Sequence, residues 1–227
     1  MPSASLLFSQ NDRQKINDFV RLAETLTSAE IVPVVASASG RYDRAEDIAG
    51  LWLGIGFMVA VPFLWPAPTD FLELGSWGSD PTLRQVVMQV VAMLAGFVLG
   101  VVICSKITRV RRLFTPSSQM SDEVNQKARS VFYDNRVHQT QSGGGVLIYL
   151  SLYERVAVVL ADQQVLQALG PPDIDDLCRS LTEALRQRQP TDALCQTIQA
   201  AGEKLKLVLP RSNEDINELP NSLVTID

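Results

Sequence analysis

Histidine and cysteine are scarce in this chain: its 227 residues include one His and three Cys. A single imidazole cannot build a His-cluster zinc site, and Cys178 and Cys195 lack the close pairing of a thiolate clamp. With no CxxC present, Cys104, Cys178 and Cys195 are expected as free thiols in a reducing compartment. The net charge is −5 and the basic residues form no stripe with interleaved aromatics, which excludes nucleic acid as a partner. No Gly-x-Ser-x-Gly elbow occurs and only His138 could serve as a base, so serine-hydrolase chemistry is excluded as well. Gly143-Gly144-Gly145 precedes a strand-like run, so it lacks the helix N-terminus that makes a phosphate-binding loop. The opening MPSASLLFSQNDRQ has no basic stretch ahead of its apolar run and does not read as a cleaved signal peptide.

Charge itself is missing from two long stretches. Residues 48–66 and 86–105 contain no Asp, Glu, Lys or Arg, and each is long enough to cross the hydrocarbon core as a helix. Arg41, Arg44, Lys106, Arg109, Arg111 and Arg112 lie at the outer ends of the pair, against Arg84 alone in the connection. That asymmetry predicts a hairpin in the cytoplasmic membrane with both termini in the cytoplasm, and Trp65 and Trp77 fall at or near the far interface. Gly50-x-x-x-Gly54 and Ala92-x-x-x-Gly96-x-x-x-Gly100 are small-residue ladders at overlapping depth, suited to close packing of the two spans or to a homodimer through the hairpin. The polar residues inside the spans are Gln89 and Ser105, near the ends, so one chain has no ionisable relay for transport.

The remainder reads as one α/β domain. Ser9 to Asp12 forms a capping-box pattern, and Ile16, Phe19, Val20, Ala23 and Leu26 recur at helical spacing, predicting a helix over 10–27. Residues 30–36, EIVPVVA, read as a buried strand that its proline places near an edge. A second amphipathic helix is expected over 116–138, and residues 146–151 and 155–160 form a β-hairpin. Pro171-Pro172 and Thr191-Asp192 open two further helices. The expected divisions are 8–47 and 106–208 for the two parts of the domain, 48–105 for the hairpin and 209–227 for a mobile acidic tail.

Ser28-Ala29-Glu30-Ile31 followed by two membrane helices, then His138-Gln139-Thr140, Gly145-Val146-Leu147-Ile148 and Ala161-Asp162, resembles the TPM domain family in order and content. That family is named for thylakoid-lumen and photosystem-repair proteins and a modulator of acetylcholine receptors. The likeness is to its bacterial-like branch with an inserted membrane hairpin, over about residues 8–208. It implies an α/β fold, a small three-layer sandwich with a mixed sheet, interrupted by a transmembrane helical hairpin. It also implies an envelope or membrane protein partner of LemA type and, from some soluble members, acid phosphatase activity with a divalent metal. Those members carry a Gly-x-Gly turn where this chain has Ala161-Asp162-Gln163, a departure that weakens the enzymatic reading here.

Strand direction suggests where a site could lie. If 31–36 and 146–151 run parallel, Glu30, the loop from His138 to Gly145 and Asp162 meet at one rim. Glu30, Asp162 and His138 could there hold a divalent cation, calcium or magnesium, through oxygen ligands and an imidazole. The competing expectation is that Glu30 and Asp162 cap strand ends and His138 ends a solvated helix. Two functions follow from these readings: a membrane-anchored binding or assembly module with no catalytic residue, and a metal-dependent phosphatase.

Overall fold

A computed structural model of the chain describes residues 3–64, 81–140, 144–186, 190–212 and 217–227. The chain folds as two compact units, one formed by Met1–Gly40 with Ser118–Asp227 and the other by Arg41–Ser117.

The first unit opens with a short helix α1 (Ala4–Leu7) and then α2 (Gln10–Glu24). The capping box forms as the sequence predicts: Asp12 N–H donates to Ser9 Oγ at 3.2 Å and Ser9 N–H donates to Asp12 Oδ2 at 3.1 Å. Strand β1 (Glu30–Ala36) follows, and the chain then leaves for the other unit, α3 (Asp43–Leu64), α4 (Pro81–Lys106) and α5 (Thr108–Leu113). It returns through α6 (Ser117–Asp134), shorter than the predicted 116–138 because Arg136 takes a left-handed backbone (φ 55°) before a 3-10 turn at Val137–Gln139. The predicted hairpin is present as β2 (Gly145–Ser151) and β3 (Val156–Ala161), followed by α7 (Gln163–Leu169), α8 (Pro171–Arg186), α9 (Pro190–Val208) and β4 (Val224–Ile226).

The strands form one mixed sheet in the order β3-β2-β1-β4, with β1 parallel to β2 and β4, and β2 antiparallel to β3. Helices cover both faces. Ile31, Val35, Ile148 and Val159 pack under α2, α8 and α9, whereas Val32, Val34, Leu147 and Tyr149 pack under α6. Every residue of β2 is buried, which explains its unbroken apolar sequence: a central strand covered on both faces has no solvent side to alternate with. Each fully buried Leu or Ile there contributes about 1.5–3 kcal/mol.

Proline in β1 is accommodated by direction. Glu30 N–H points to β2, donating to Gly144 O at 2.8 Å, while Ile31 N–H points away and donates to Glu24 Oε1 at 3.1 Å. By alternation the missing N–H of Pro33 also faces away from β2, where β4 pairs only with Val34–Ala36.

The C-terminal segment differs from expectation. In place of a mobile tail over 209–227, residues 217–227 are bound along the sheet: Leu223 N–H donates to Asn17 Oδ1 at 2.9 Å, Asn221 bonds Glu24, and β4 completes the sheet. Asp227 then accepts from Ser5 N–H at 3.1 Å and from Ser37 Oγ at 3.0 Å. These partners are about two hundred residues distant in sequence, so no local periodicity announces them.

In the unit 41–117, one helix among the described residues, over Gln85–Lys106, is long and apolar enough to cross a membrane, and 11% of its apolar window is buried. The other predicted span, 48–66, continues past Leu64 and so leaves the described residues before its end. The described apolar part of α3 is 48–64, about 25 Å at helical rise, because Asp43, Arg44, Glu46 and Asp47 occupy the helix start.

Candidate functional site

The sheet register brings Glu30, Gly145 and Asp162 level at one rim. Glu30 pairs with Gly145 and Val146 with Ala161, so the two carboxylates start from backbones roughly 10 Å apart, on either side of β2. Each is buried, and each is occupied by backbone. Glu30 Oε1 accepts from Glu218 N–H at 2.9 Å. Asp162 caps α7, accepting from Val165 N–H at 3.0 Å through Oδ1, and its Oδ2 accepts from Gly145 N–H at 3.0 Å. Asp162 N–H in turn donates to Gly145 O at 2.9 Å, so the residue joins the end of β3, the start of β2 and the start of α7.

Gly145 lies between the two acids in the sheet register. A Cβ built there would lie 1.8 Å from the carbonyl oxygen of Val137, so only glycine lets the 3-10 turn rest on the strand. His138, on that turn, packs edge-on against Tyr133 at 4.8 Å between ring centroids, with Phe132 at 6.1 Å. Its Nδ1 is buried without a hydrogen-bond partner among the described residues. The sheet therefore places Glu30 and Asp162 at the same rim, on either side of β2 and each with its own backbone partners, and lays His138 on aromatic rings. Among the described residues no group of three or more His, Cys, Asp or Glu is placed to hold a metal ion.

A second polar cluster, at the other end of β1 and β2, was not anticipated from sequence. Glu154, in the β2–β3 turn, is 2% exposed. Its Oε1 accepts from Ser39 N–H at 2.9 Å and Gly40 N–H at 3.4 Å, and its Oε2 accepts from Ser151 Oγ. Ser39 Oγ donates to Ser151 Oγ at 2.9 Å and lies 2.9 Å from Tyr149 Oη. Burial pushes the Tyr149 phenol up to about 12, so it stays neutral and serves as a hydrogen-bonding group. The serines at 39 and 151 around an acidic turn residue were the available signal. The arrangement fixes the chain as it leaves β1.

The small-residue ladders meet within the unit 41–117. A Cβ on Gly100 would lie 2.7 Å from Gly50 Cα, and one on Gly96 would lie 3.0 Å from Gly54 Cα and 2.9 Å from Leu53 O. Ala92 is buried on α4 one turn before Gly96. Large apolar side chains point the other way: Trp52 is 66% exposed and Leu94 and Val98 are each 60% exposed. The three cysteines are free thiols, with Cys104 Sγ 3.6 Å from Ala45 O in this unit.

No protein-family model matches the chain, and no curated protein matches it. Among solved structures, the fold is similar to the NMR structure of the BA42 protein from the psychrophilic bacterium Bizionia argentinensis, over 99% of each chain, at a TM-score of 0.56 and 16% identity. At that identity the likeness establishes a shared fold.

Proposed function

We propose that this chain is a membrane-anchored, TPM-like binding or assembly module. Helices α3 and α4 form a two-span hairpin in the cytoplasmic membrane, and the α/β domain and both termini are cytoplasmic. The observation that carries the reading is the inside-out packing of the unit 41–117: glycines at its interhelical seam and Trp52, Leu94 and Val98 on its outer surface. Water would penalise so large an apolar exterior, and lipid would not. The basic excess at the outer ends of the two helices supports the orientation. The family resemblance points to an envelope or membrane protein partner, LemA-type among them, acting on the cytosolic side. Engagement of Glu30 and Asp162 by backbone N–H groups favours binding over catalysis.

The convergence of those two carboxylates at one rim supports a second reading, a divalent-metal-dependent phosphatase. Two measurements on the full chain separate the readings. Alkaline carbonate extraction of membranes should leave the protein in the pellet, and release into the supernatant contradicts the anchor. The detergent-purified protein should not hydrolyse a generic phosphate monoester with or without calcium or magnesium, whereas metal-dependent turnover establishes the enzyme.

A further inference from the structure

The glycine seam sets the level of each residue at the charged end of the unit 41–117. Gly54 lies against Gly96, Gly50 against Gly100, and Ala45 O against Cys104 Sγ, so a step back along α3 matches a step forward along α4. Continued to the helix ends, this register puts Arg44 level with Lys106, with Arg41 just before α3 and α5 just after α4. The extended backbone of Ile107 (φ −106°, ψ 97°) breaks the α4 axis, and α5 then packs on both α3 and α4. Arg111 holds it there: its Nη2 is 3.4 Å from Glu46 Oε1, and its guanidinium lies 5.9 Å from the ring centroid of buried Tyr42.

With Arg111 paired to Glu46, Arg41, Arg44 and Lys106 remain exposed and Arg112 is half-buried at this end of the unit. Apolar side chains stand beside them, Ile107 at 46% and Leu113 at 81% exposure. The acidic residues of this stretch are Asp43, Glu46 and Asp47, of which Glu46 pairs with Arg111, so the collar keeps a positive excess. Exposed cations at one end of an apolar helix pair, with exposed Ile107 next to Lys106 and Leu113 next to Arg112 along the chain, match the headgroup layer of a negatively charged leaflet.

We propose that this collar binds anionic phospholipid headgroups, with α5 lying in the interface and Leu113 and Ile107 dipping toward the acyl chains. The proposal rests on the membrane-anchored reading above and adds a lipid selectivity to it. The test uses the purified full chain reconstituted in phosphatidylcholine vesicles, with spin-labelled phosphatidylglycerol or phosphatidylcholine as the probe of motionally restricted lipid. Each basic side chain near the surface favours the anionic lipid by up to about fivefold, and opposing Asp43 and Asp47 lower the total. The expected result is a phosphatidylglycerol preference of at least about threefold at low salt that falls toward one in about 0.5 M NaCl. Replacing the three exposed cations together, Arg41→Gln, Arg44→Gln and Lys106→Gln, should abolish it while flotation with phosphatidylcholine vesicles persists. Equal restriction of both lipids by the parent, or an undiminished preference in the triple variant, overturns the proposal and leaves the anchor standing. Failure of the parent to float with phosphatidylcholine vesicles overturns the anchor and this proposal together.

Discussion

Asp162 offers a quantitative test of how the rim is used. Its two oxygens accept from Val165 N–H and Gly145 N–H, each at 3.0 Å, and the residue is 9% exposed. Asp162→Ala removes an N-cap, at about 0.5–2 kcal/mol, and strands a buried Gly145 N–H, at about 1–3 kcal/mol. Taken together the loss is about 1.5–5 kcal/mol. For a folded unit of this size each kcal/mol lowers Tm by roughly 2–4 °C, so the alanine variant should melt about 3–20 °C below the parent. Asp162→Asn keeps one acceptor oxygen and should lose about half as much. Thermal melts of the full chain in detergent, followed by far-ultraviolet circular dichroism with and without calcium or magnesium, read both numbers. An alanine variant within about 2 °C of the parent would refute the structural role. A metal-dependent gain in Tm that vanishes in both variants would assign the carboxylate to a cation and revive the phosphatase.

Two further perturbations probe other parts of the molecule. Gly96→Leu should force α3 from α4 at a cost of about 1–3 kcal/mol, because its Cβ meets Leu53 O and Phe57 Cβ at 2.9 Å; Gly56→Leu, with nothing within 4 Å, is the control. Disulfide cross-linking between cysteines at Ala49 and Val101 should fall in the first variant and hold in the second, and equal yields would remove the seam. Hydrogen bonds from Ser3 and Ser5 hold the Asp227 carboxyl well below the usual carboxylate range. A lowered value stabilises the docked strand fully above the ordinary 3.8 and loses effect as pH falls through the lowered one. Hydrogen-exchange protection at Val224–Ile226, corrected for intrinsic rate, should therefore weaken below about pH 4 in the parent and show no such dependence in Asp227→Asn.

Legibility in the sequence followed the range of the interactions. The α2 cap is written in four consecutive residues, and β2 and β3 in two apolar runs with a tight turn, so local reading finds them. The approach of Gly50 to Gly100 was legible because small residues repeat at fixed spacing in both helices. Strand β4 was not, since its three residues pair with β1 across most of the chain. Helix α7 follows Asp162 for only seven residues, too short for a periodic signal. At the site, Glu30 and Asp162 could be brought together by strand direction alone, yet their hydrogen-bond partners could not: Glu218 belongs to the segment read as a tail, and Gly145 is a donor only once β2 and β3 are in register. Glu154 escaped for the same reason, because its burial depends on Ser39 and Gly40 arriving from the end of β1.

A two-span hairpin fixes which side of the membrane each part of the chain occupies. In a background with Cys104, Cys178 and Cys195 replaced, a single cysteine at Ser76, in the connection between the predicted spans, or at exposed Ser222, in the α/β domain, reports that directly. With an impermeant thiol reagent, Ser76→Cys should label in intact cells and Ser222→Cys only after lysis. Labelling of Ser222→Cys in intact cells, or of Ser76→Cys only after lysis, would contradict the two-span hairpin with a cytoplasmic α/β domain.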